Sequence, residues 1–238
     1  MIHLKTISLL RGKAELGNLP DGKLLINTIN AHSYNNAQKD PLFAEALLSG
    51  GMLIPDGESI VLAVRWLRHE HIERIPGWDL FKYEMDRLNQ KGGTCFFLGA
   101  SEKTLQLIKE KAMVVYPHIT VATYSPPFKS VFTDEDNRAM IEAVNRVKPD
   151  LLWVGMTAPK QEKWAYTHYD ELDVRGHIGA IGAVFDFFAG TVKRAPEAWQ
   201  KRGLEWAYRL LKEPRRMWRR YLLGNLIFFR YMIKEKFG

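Results

Sequence analysis

Thr94-Cys-Phe-Phe-Leu-Gly-Ala-Ser101 is the stretch that decides the fold. An apolar run ends in a glycine, and a helical pattern follows to residue 113. A short continuous apolar run with such punctuation reads as a strand buried on both faces. Residues 119–124 repeat the signal and stop at Ser125-Pro-Pro127. Strand, helix and strand at this spacing make one parallel crossover unit. Working outward, residues 134–147 read as a helix, 150–154 as a strand and 176–181 as the last strand. Toward the amino terminus, residues 23–30 read as a first strand whose end carries Thr28, Asn30 and His32. Ser33 can cap a short helix, and residues 41–48 form another. Residues 52–55 are a second strand, followed at once by Asp56-Gly57. Helices follow at 58–69 and 78–90, the latter ended by Gly92-Gly93. The alternation predicts an α/β protein with a mostly parallel sheet and helices on both faces. Ligands of such sheets bind at the carboxyl ends of strands. Thr28, Asn30, Asp56, Gly99 and Gln161 all fall at or just after such ends.

The charge is unevenly spread. The net charge is +7, yet residues 193–238 hold 13 basic and 4 acidic residues, so all the excess positive charge lies in the tail. That points to an anionic partner there. From residue 182 on the pattern is helical, with one helix predicted at 199–212 and a second opened by Pro214 and running to about 236. Arg215, Arg216, Arg219 and Arg220 recur at helical spacing and are expected on one broad face. Trp199, Trp206, Tyr208, Trp218 and Tyr221 are interleaved with the arginines. Guanidinium forks bind phosphate, and Trp and Tyr settle at the headgroup level of a bilayer. Trp218, Tyr221, Leu222, Phe228 and Phe229 would rest on lipid, or pack on the sheet or across a homo-oligomer interface. The chain then divides into an α/β catalytic domain, residues 1–190, and a helical, basic and aromatic membrane-facing appendage, residues 191–238. No run reaches the roughly 18 to 20 apolar residues that cross a bilayer. Residues 1–10 lack a signal-peptide pattern. The expected location is cytoplasmic, peripherally associated with the inner face of the cell membrane. The single cysteine, Cys95, reads as a buried strand residue and excludes an internal disulfide.

A set of short motifs runs through the chain in a fixed order: Thr28-Ile-Asn-Ala-His32, Pro55-Asp-Gly57, Arg74-Ile-Pro-Gly77, Phe97-Leu-Gly99, Tyr124-Ser-Pro-Pro-Phe128, Pro159-Lys-Gln-Glu162, Arg194-Ala-Pro196, Glu205-Trp-Ala-Tyr-Arg209 and Glu213-Pro-Arg215. With these the sequence resembles the WecG/TagA/CpsF glycosyltransferases, glycosyltransferase family twenty-six, from about residue 25 to 223. The resemblance implies a Rossmann-like domain with a carboxyl-terminal appendage. It also implies an inverting, metal-independent hexosyltransferase. Such enzymes move a sugar, of the N-acetylmannosamine type or a related hexose, from a UDP-sugar to a polyprenyl-diphosphate-linked saccharide in cell-wall or exopolysaccharide synthesis. One departure is visible: where the family often has a second glycine after Gly99, this chain has Ala100-Ser101-Glu102.

Each candidate residue has a plain structural reading beside the chemical one. Asp56 can take the acceptor hydroxyl's proton, the role proposed for the family's aligned aspartate, although Asp-Gly is also a common turn pair. Thr28 and Asn30 lie two apart on a strand and share a face, so they can hold donor-sugar groups or merely close a loop. His32 joins them or is a structural hydrogen-bonding residue. Arg74 matches a family arginine and suits a phosphate. Gly99 lets backbone approach a nucleotide, or only ends a strand. Gln161 opens a helix whose free N–H groups attract anions, beside Lys160. Arg209, Arg215, Arg216, Arg219 and Arg220 are the candidate clamp for the acceptor diphosphate. Asp134-Glu-Asp136 has the D-x-D spacing of metal-dependent glycosyltransferases, but it opens a predicted helix, where acidic residues are ordinary. No metal site and no cofactor is expected. A nucleic-acid-binding module would use the basic tail, yet no reading motif accompanies it. A dinucleotide-dependent oxidoreductase needs a G-x-G-x-x-G that does not follow the first strand.

Overall fold

Leu24–Ile29 (β1), Met52–Pro55 (β2), Gly93–Gly99 (β3), Ile119–Tyr124 (β4), Leu151–Gly155 (β5) and His177–Ala180 (β6) form one parallel sheet in the order β2-β1-β6-β5-β3-β4. The structure is a computed structural model describing residues 1–201 and 203–238, the side chains of Lys201 and Arg216 apart. Strand alternation sends Cys95, Phe97, Leu151 and Trp153 to one face, and Phe96, Leu98, Leu152 and Val154 to the other. The first face is covered by Gly77–Lys91 (α4), Glu102–Val115 (α5) and Gly182–Ala189 (α8). The second is covered by Ala31–Ala37 (α1), Pro41–Ser49 (α2), Glu58–Arg68 (α3), Asp134–Val147 (α6) and Lys160–Thr167 (α7). With both faces covered, the strands can be apolar throughout, which is why they read as unbroken runs. β1 and β6 are neighbours, but β1 leaves into α1 on one face and β6 into α8 on the other. Such a divergence opens a crevice at the carboxyl ends.

The tail continues as Glu197–Lys201 (α9), Glu205–Lys212 (α10), Pro214–Trp218 (α11), a π-helical stretch Arg219–Leu223, and Gly224–Phe237 (α12). The single helix expected at 199–212 is interrupted near Gly203, whose φ of +70° is incompatible with helix. The second expected helix is continuous but underwound into a π-helix over Arg219–Leu223, and Asn35 Nδ2 donates to the Gly224 carbonyl at 2.7 Å just beyond it. α12 is built into the body. Phe228 meets Tyr34 edge-on at 5.2 Å, and Met232 is buried with it. Glu235 accepts the N–H groups of Leu4 (3.0 Å) and Lys5 (3.1 Å) and the Tyr34 hydroxyl. Of the two sequence readings of Phe228, packing on the body therefore holds. Phe229, about 100° further round the helix, is exposed.

Candidate active site

Asp56 stands where three segments meet. Its N–H donates to the Ile29 carbonyl at the end of β1 (2.9 Å), and the Ile75 N–H donates to the Pro55 carbonyl at the end of β2 (2.8 Å). These bonds bring the Arg74–Gly77 loop over the carboxylate, and the Gly77 N–H points at Asp56 Oδ1 (3.3 Å). The side chain keeps some contact with solvent but is enclosed by protein on most sides. That burial pushes its pKa up. The Arg74 charge opposes the rise, the Glu205 charge adds to it, and the Gly77 N–H and Arg220 oppose it.

Glu205, on α10, ties the tail to this loop. Its Oε2 lies 2.9 Å from Arg74 Nη2, and its Oε1 lies 3.6 Å from Arg194 Nε. The Arg194 guanidinium sits 5.0 Å from the Trp78 ring and 5.8 Å from Phe187, and Arg209 is 5.7 Å from the same Phe187. Nε of Arg194 and Nε of Arg209 are buried with no hydrogen-bond partner among the described residues. Arg220, in the π-helical stretch, is close enough to act on both Asp56 and His32. Burial first, and then Arg220, pull the His32 pKa down to about 4, so the ring is neutral at pH 7. Arg215 and Arg219 point to solvent, and Arg219 lies 5.3 Å from the Trp218 ring. The Arg216 side chain lies outside the described residues. The tail arginines thus do not all share one face: Arg219 and Arg220, being adjacent, are about 100° apart on the helix.

The other candidates sit at the same end of the sheet. Thr28 is half-buried beside Ile54 in the β1–β2 register. Asn30 caps α1: its Oδ1 accepts from the His32 N–H (3.0 Å) and the Ser33 N–H (3.1 Å), while Ser33 Oγ accepts from the Asn30 N–H (2.8 Å). The cap is therefore Asn30, and Ser33 completes the box. Gln161 is buried, and its Oε1 accepts from Met156 N–H (3.2 Å) and Gly182 N–H (3.0 Å), bracing the loops after β5 and β6. Its Nε2 donates to Glu162 Oε1 (2.9 Å). Burial pushes the Glu162 pKa up to about 7, and its Oε2 has no partner among the described residues. Gly99 has φ +127°, and a Cβ there would come within 2.1 Å of the Gly155 carbonyl oxygen, so no other residue fits between β3 and β5. Asp136 completes a capping box with Thr133 and pairs with Lys129 at 2.8 Å. Cys95 is buried, and burial raises its thiol pKa. Lys160 reaches over the Phe132 ring at 3.7 Å. Arg194, Glu205 and Phe187 carried no assigned role in the sequence. The first two stood inside quoted motifs, but only the fold brings them to Arg74.

The sequence matches the Glycosyl transferase WecG/TagA/CpsF family over residues 12–238. The chain belongs to this family. It is 32% identical over 198 residues to the N-acetylglucosaminyldiphosphoundecaprenol N-acetyl-beta-D-mannosaminyltransferase of Bacillus subtilis (strain 168), covering 83% of this chain and 75% of that protein. It is 28% identical over 223 residues to the enzyme of the same name from Staphylococcus aureus (strain MW2), covering 94% of this chain and 84% of that one. This WecG/TagA/CpsF protein is thus a glycosyltransferase. None of its helices, among the described residues, is long and apolar enough to cross a membrane.

Proposed function

We propose that the protein transfers N-acetylmannosamine, or a related hexose, from a UDP-sugar to a saccharide carried on a polyprenyl diphosphate, with inversion and without a metal. One observation carries the reading: an enclosed carboxylate at a strand end, Asp56, lies near guanidinium groups from both the body (Arg74) and the tail (Arg220). The activity named for the relatives, transfer of N-acetyl-β-D-mannosamine onto N-acetylglucosaminyldiphosphoundecaprenol, supplies the substrate class.

Asp56 accepts the proton of the acceptor hydroxyl. The freed oxygen attacks the anomeric carbon from the side opposite the nucleotide, the bond to the phosphate oxygen breaks, and UDP leaves with the electron pair. A nucleotide sugar with α configuration then gives a β product. Enclosure raises the carboxyl pKa and makes it a better base, while Arg74, Arg220 and the Gly77 N–H oppose the rise. Arg74 faces the donor phosphates. Thr28 and Asn30 Nδ2 lie toward the donor sugar. Gly99 and Gln161 shape the nucleotide side, Gln161 by bracing two loops. Arg209 and Arg220 hold the acceptor diphosphate near the reacting centre, and Arg215 and Arg219 meet phosphate at the membrane. Guanidinium groups and helix N-termini offset the charge of departing UDP.

The residues from 191 on act as the membrane-facing appendage, and its docking surface is an anionic bilayer. Trp66 of α3 stacks on Phe229 of α12 (6.3 Å, 16° between planes), with Phe237 edge-on at 6.3 Å. Leu62, Leu226, Phe229 and Phe237 are exposed around them. α12 is apolar on its outer as well as its inner face, which is the pattern of a helix covered on both sides. Lys236 lies 6.0 Å from the Trp66 ring, and the tail's positive excess suits acidic headgroups. The π-helical stretch that carries Arg220 runs directly into α12 of this surface, so docking would place Arg220 near the headgroup plane.

The reaction is tested by supplying UDP-N-acetylmannosamine and a short-chain N-acetylglucosaminyl-diphosphate lipid, with and without EDTA. Transfer that gives a β-linked disaccharide and is indifferent to EDTA is expected. Loss of activity in EDTA, restored by Mg²⁺ or Mn²⁺, would remove the metal-independent mechanism. For the surface, Trp66→Ser with Phe229→Ser should release the protein from phosphatidylglycerol vesicles without unfolding it. Unchanged co-sedimentation would sink the membrane assignment.

A further inference from the structure

We infer that Glu205 is a positioning residue for the active site, its carboxylate holding Arg74 of the body and Arg194 of the tail in place beside Asp56. The inference rests on the proposed role of Asp56 as general base. Glu205 pairs with arginines on both sides of the body–tail junction: Arg74 Nη2 at 2.9 Å and Arg194 Nε at 3.6 Å. All three side chains are mostly buried, at 15%, 15% and 17% exposure, so the contact is neither a loose surface pair nor fully removed from water. A partly buried pair in this position constrains both partners far more than an exposed one. The geometry around it is stiff. Arg194 is laid over the Trp78 ring at 5.0 Å, and Trp78 follows Gly77, whose N–H points at Asp56. Moving Glu205 therefore disturbs two guanidinium groups and the cover of the carboxylate together.

The charged groups facing Asp56 come from four places. Arg74 and the Gly77 N–H belong to the loop and start of α4, Glu205 to α10, and Arg220 to the π-helical stretch, with neutral His32 on α1 nearby. Among these, Glu205 alone is negative. It raises the proton affinity of Asp56, and its partner Arg74 lowers it. Removing the Glu205 charge takes away a like charge and so lowers the Asp56 pKa. The shift reports that the carboxylate stands beside Asp56, and the rate of a variant that keeps the charge on a shorter stem reports whether it also positions Arg74.

The experiment uses the full-length chain. Asp56 is followed by carboxyl ¹³C NMR in protein labelled at aspartate, the signal assigned by its loss in Asp56→Asn. In Glu205→Gln the Asp56 titration should move to lower pH. The acid limb of kcat/KM should move with it, and kcat/KM at pH 7.5 should fall about tenfold, since the pair that orients Arg74 is gone. Glu205→Asp, which keeps the charge on a shorter stem, should restore the titration while only partly restoring the rate. If the Asp56 titration stays put in Glu205→Gln, the inference is wrong, whether or not activity falls. Should the wild-type protein transfer no sugar under any of these conditions, the proposed reaction fails, and the titration still judges Glu205.

Discussion

Two clusters of buried charge lie at opposite ends of the same sheet, and they are built differently. At the amino ends of the strands, His177 of β6 and Glu84 of α4 are both buried and saturated. Glu84 Oε1 takes His177 Nδ1 at 2.9 Å, Glu84 Oε2 takes Arg87 Nη2 at 2.7 Å, and His177 Nε2 meets the Pro20 carbonyl at 2.9 Å. A cavity of about 190 Å³ opens beside them, lined by Arg87, Asp150 and Arg175 among others. Arg87 pairs with Glu84, and Arg175 lies 3.8 Å from Asp150, so these charges are already answered. At the carboxyl ends, Arg209 Nε and Glu162 Oε2 are buried without hydrogen-bond partners among the described residues, and the Asp56 carboxylate has only a long bond, from the Gly77 N–H. A saturated cluster stabilises the fold. An unsaturated one costs stability and is kept for what it binds.

The sharpest way to break this contrast is to exchange one carboxylate for its amide at each end. Asp56→Asn should lower kcat by about 10²- to 10⁴-fold, the usual contribution of a general base. Its melting temperature should hold or rise, because the enclosed charge was disfavoured. Glu84→Gln should do the reverse. Leaving His177 and Arg87 without their counter-charge should cost about 3–5 kcal/mol in urea unfolding, while kcat of the folded fraction stays within twofold. If Asp56→Asn kept its rate, or Glu84→Gln lost its rate while staying stable, the division between the two ends would fail.

The next effect is smaller. Arg209 stacks near Phe187 and lacks a partner for Nε, so a diphosphate is the group that would complete it. Arg209→Met keeps the apolar stem and removes the fork. The KM for the lipid-linked acceptor should rise about tenfold to a hundredfold, the worth of one charge-assisted contact. The KM for UDP-sugar should change little and stability should not fall. The amino-end counterpart, Arg87→Met, should leave both KM values alone and lower the melting temperature instead.

Much of this was legible in the chain, and the reasons differ by residue. All six strands read correctly because a doubly covered parallel sheet tolerates no polar interruption, and β4 and α6 match their expected limits. The place of Asp56, directly after β2, was legible from the apolar run that precedes it. Asn30 was read as a sugar contact, whereas its Oδ1 is engaged in capping α1; a strand-end asparagine and a helix cap look alike until the turn is seen. Gln161 was noticed for the right position, but its partners Met156 and Gly182 lie on two different loops, which no spacing reveals. Glu205 was hidden for the same reason, since 131 residues separate it from Arg74. The tail was read as one amphipathic arginine face. The π-helical stretch and the bend at Glu213–Pro214 turn Arg220 inward and leave Arg215 and Arg219 out, and period-3.6 reasoning has no access to either.

The smallest expected effect separates the two ends by pH. Both ring nitrogens of His177 have acceptors, Glu84 Oε1 and the Pro20 carbonyl, which favour the imidazolium, while Arg87 Nη2, 3.4 Å from Nδ1, opposes it. Burial works against the charge, but Glu84 and the Pro20 carbonyl outweigh burial and the Arg87 charge, and the pKa stands above its ordinary 6.5. A group whose folded pKa is raised stabilises fully below the unfolded value and ceases to as pH climbs through the folded one. His177 should therefore make urea stability fall as pH rises above about 6.5. Glu162 acts in a lower window. Its folded pKa of about 7 against 4.5 means that stability is lost as pH rises between those values, because the ionised form is buried without an acceptor's complement. The two are separable with variants. Glu162→Gln should flatten the fall below pH 7 and leave the one above it; adding His177→Gln should flatten the remainder. Were the upper fall to survive in the double variant, the amino-end cluster would not be held by a charged histidine, and its claim to be purely structural would lose its physical basis.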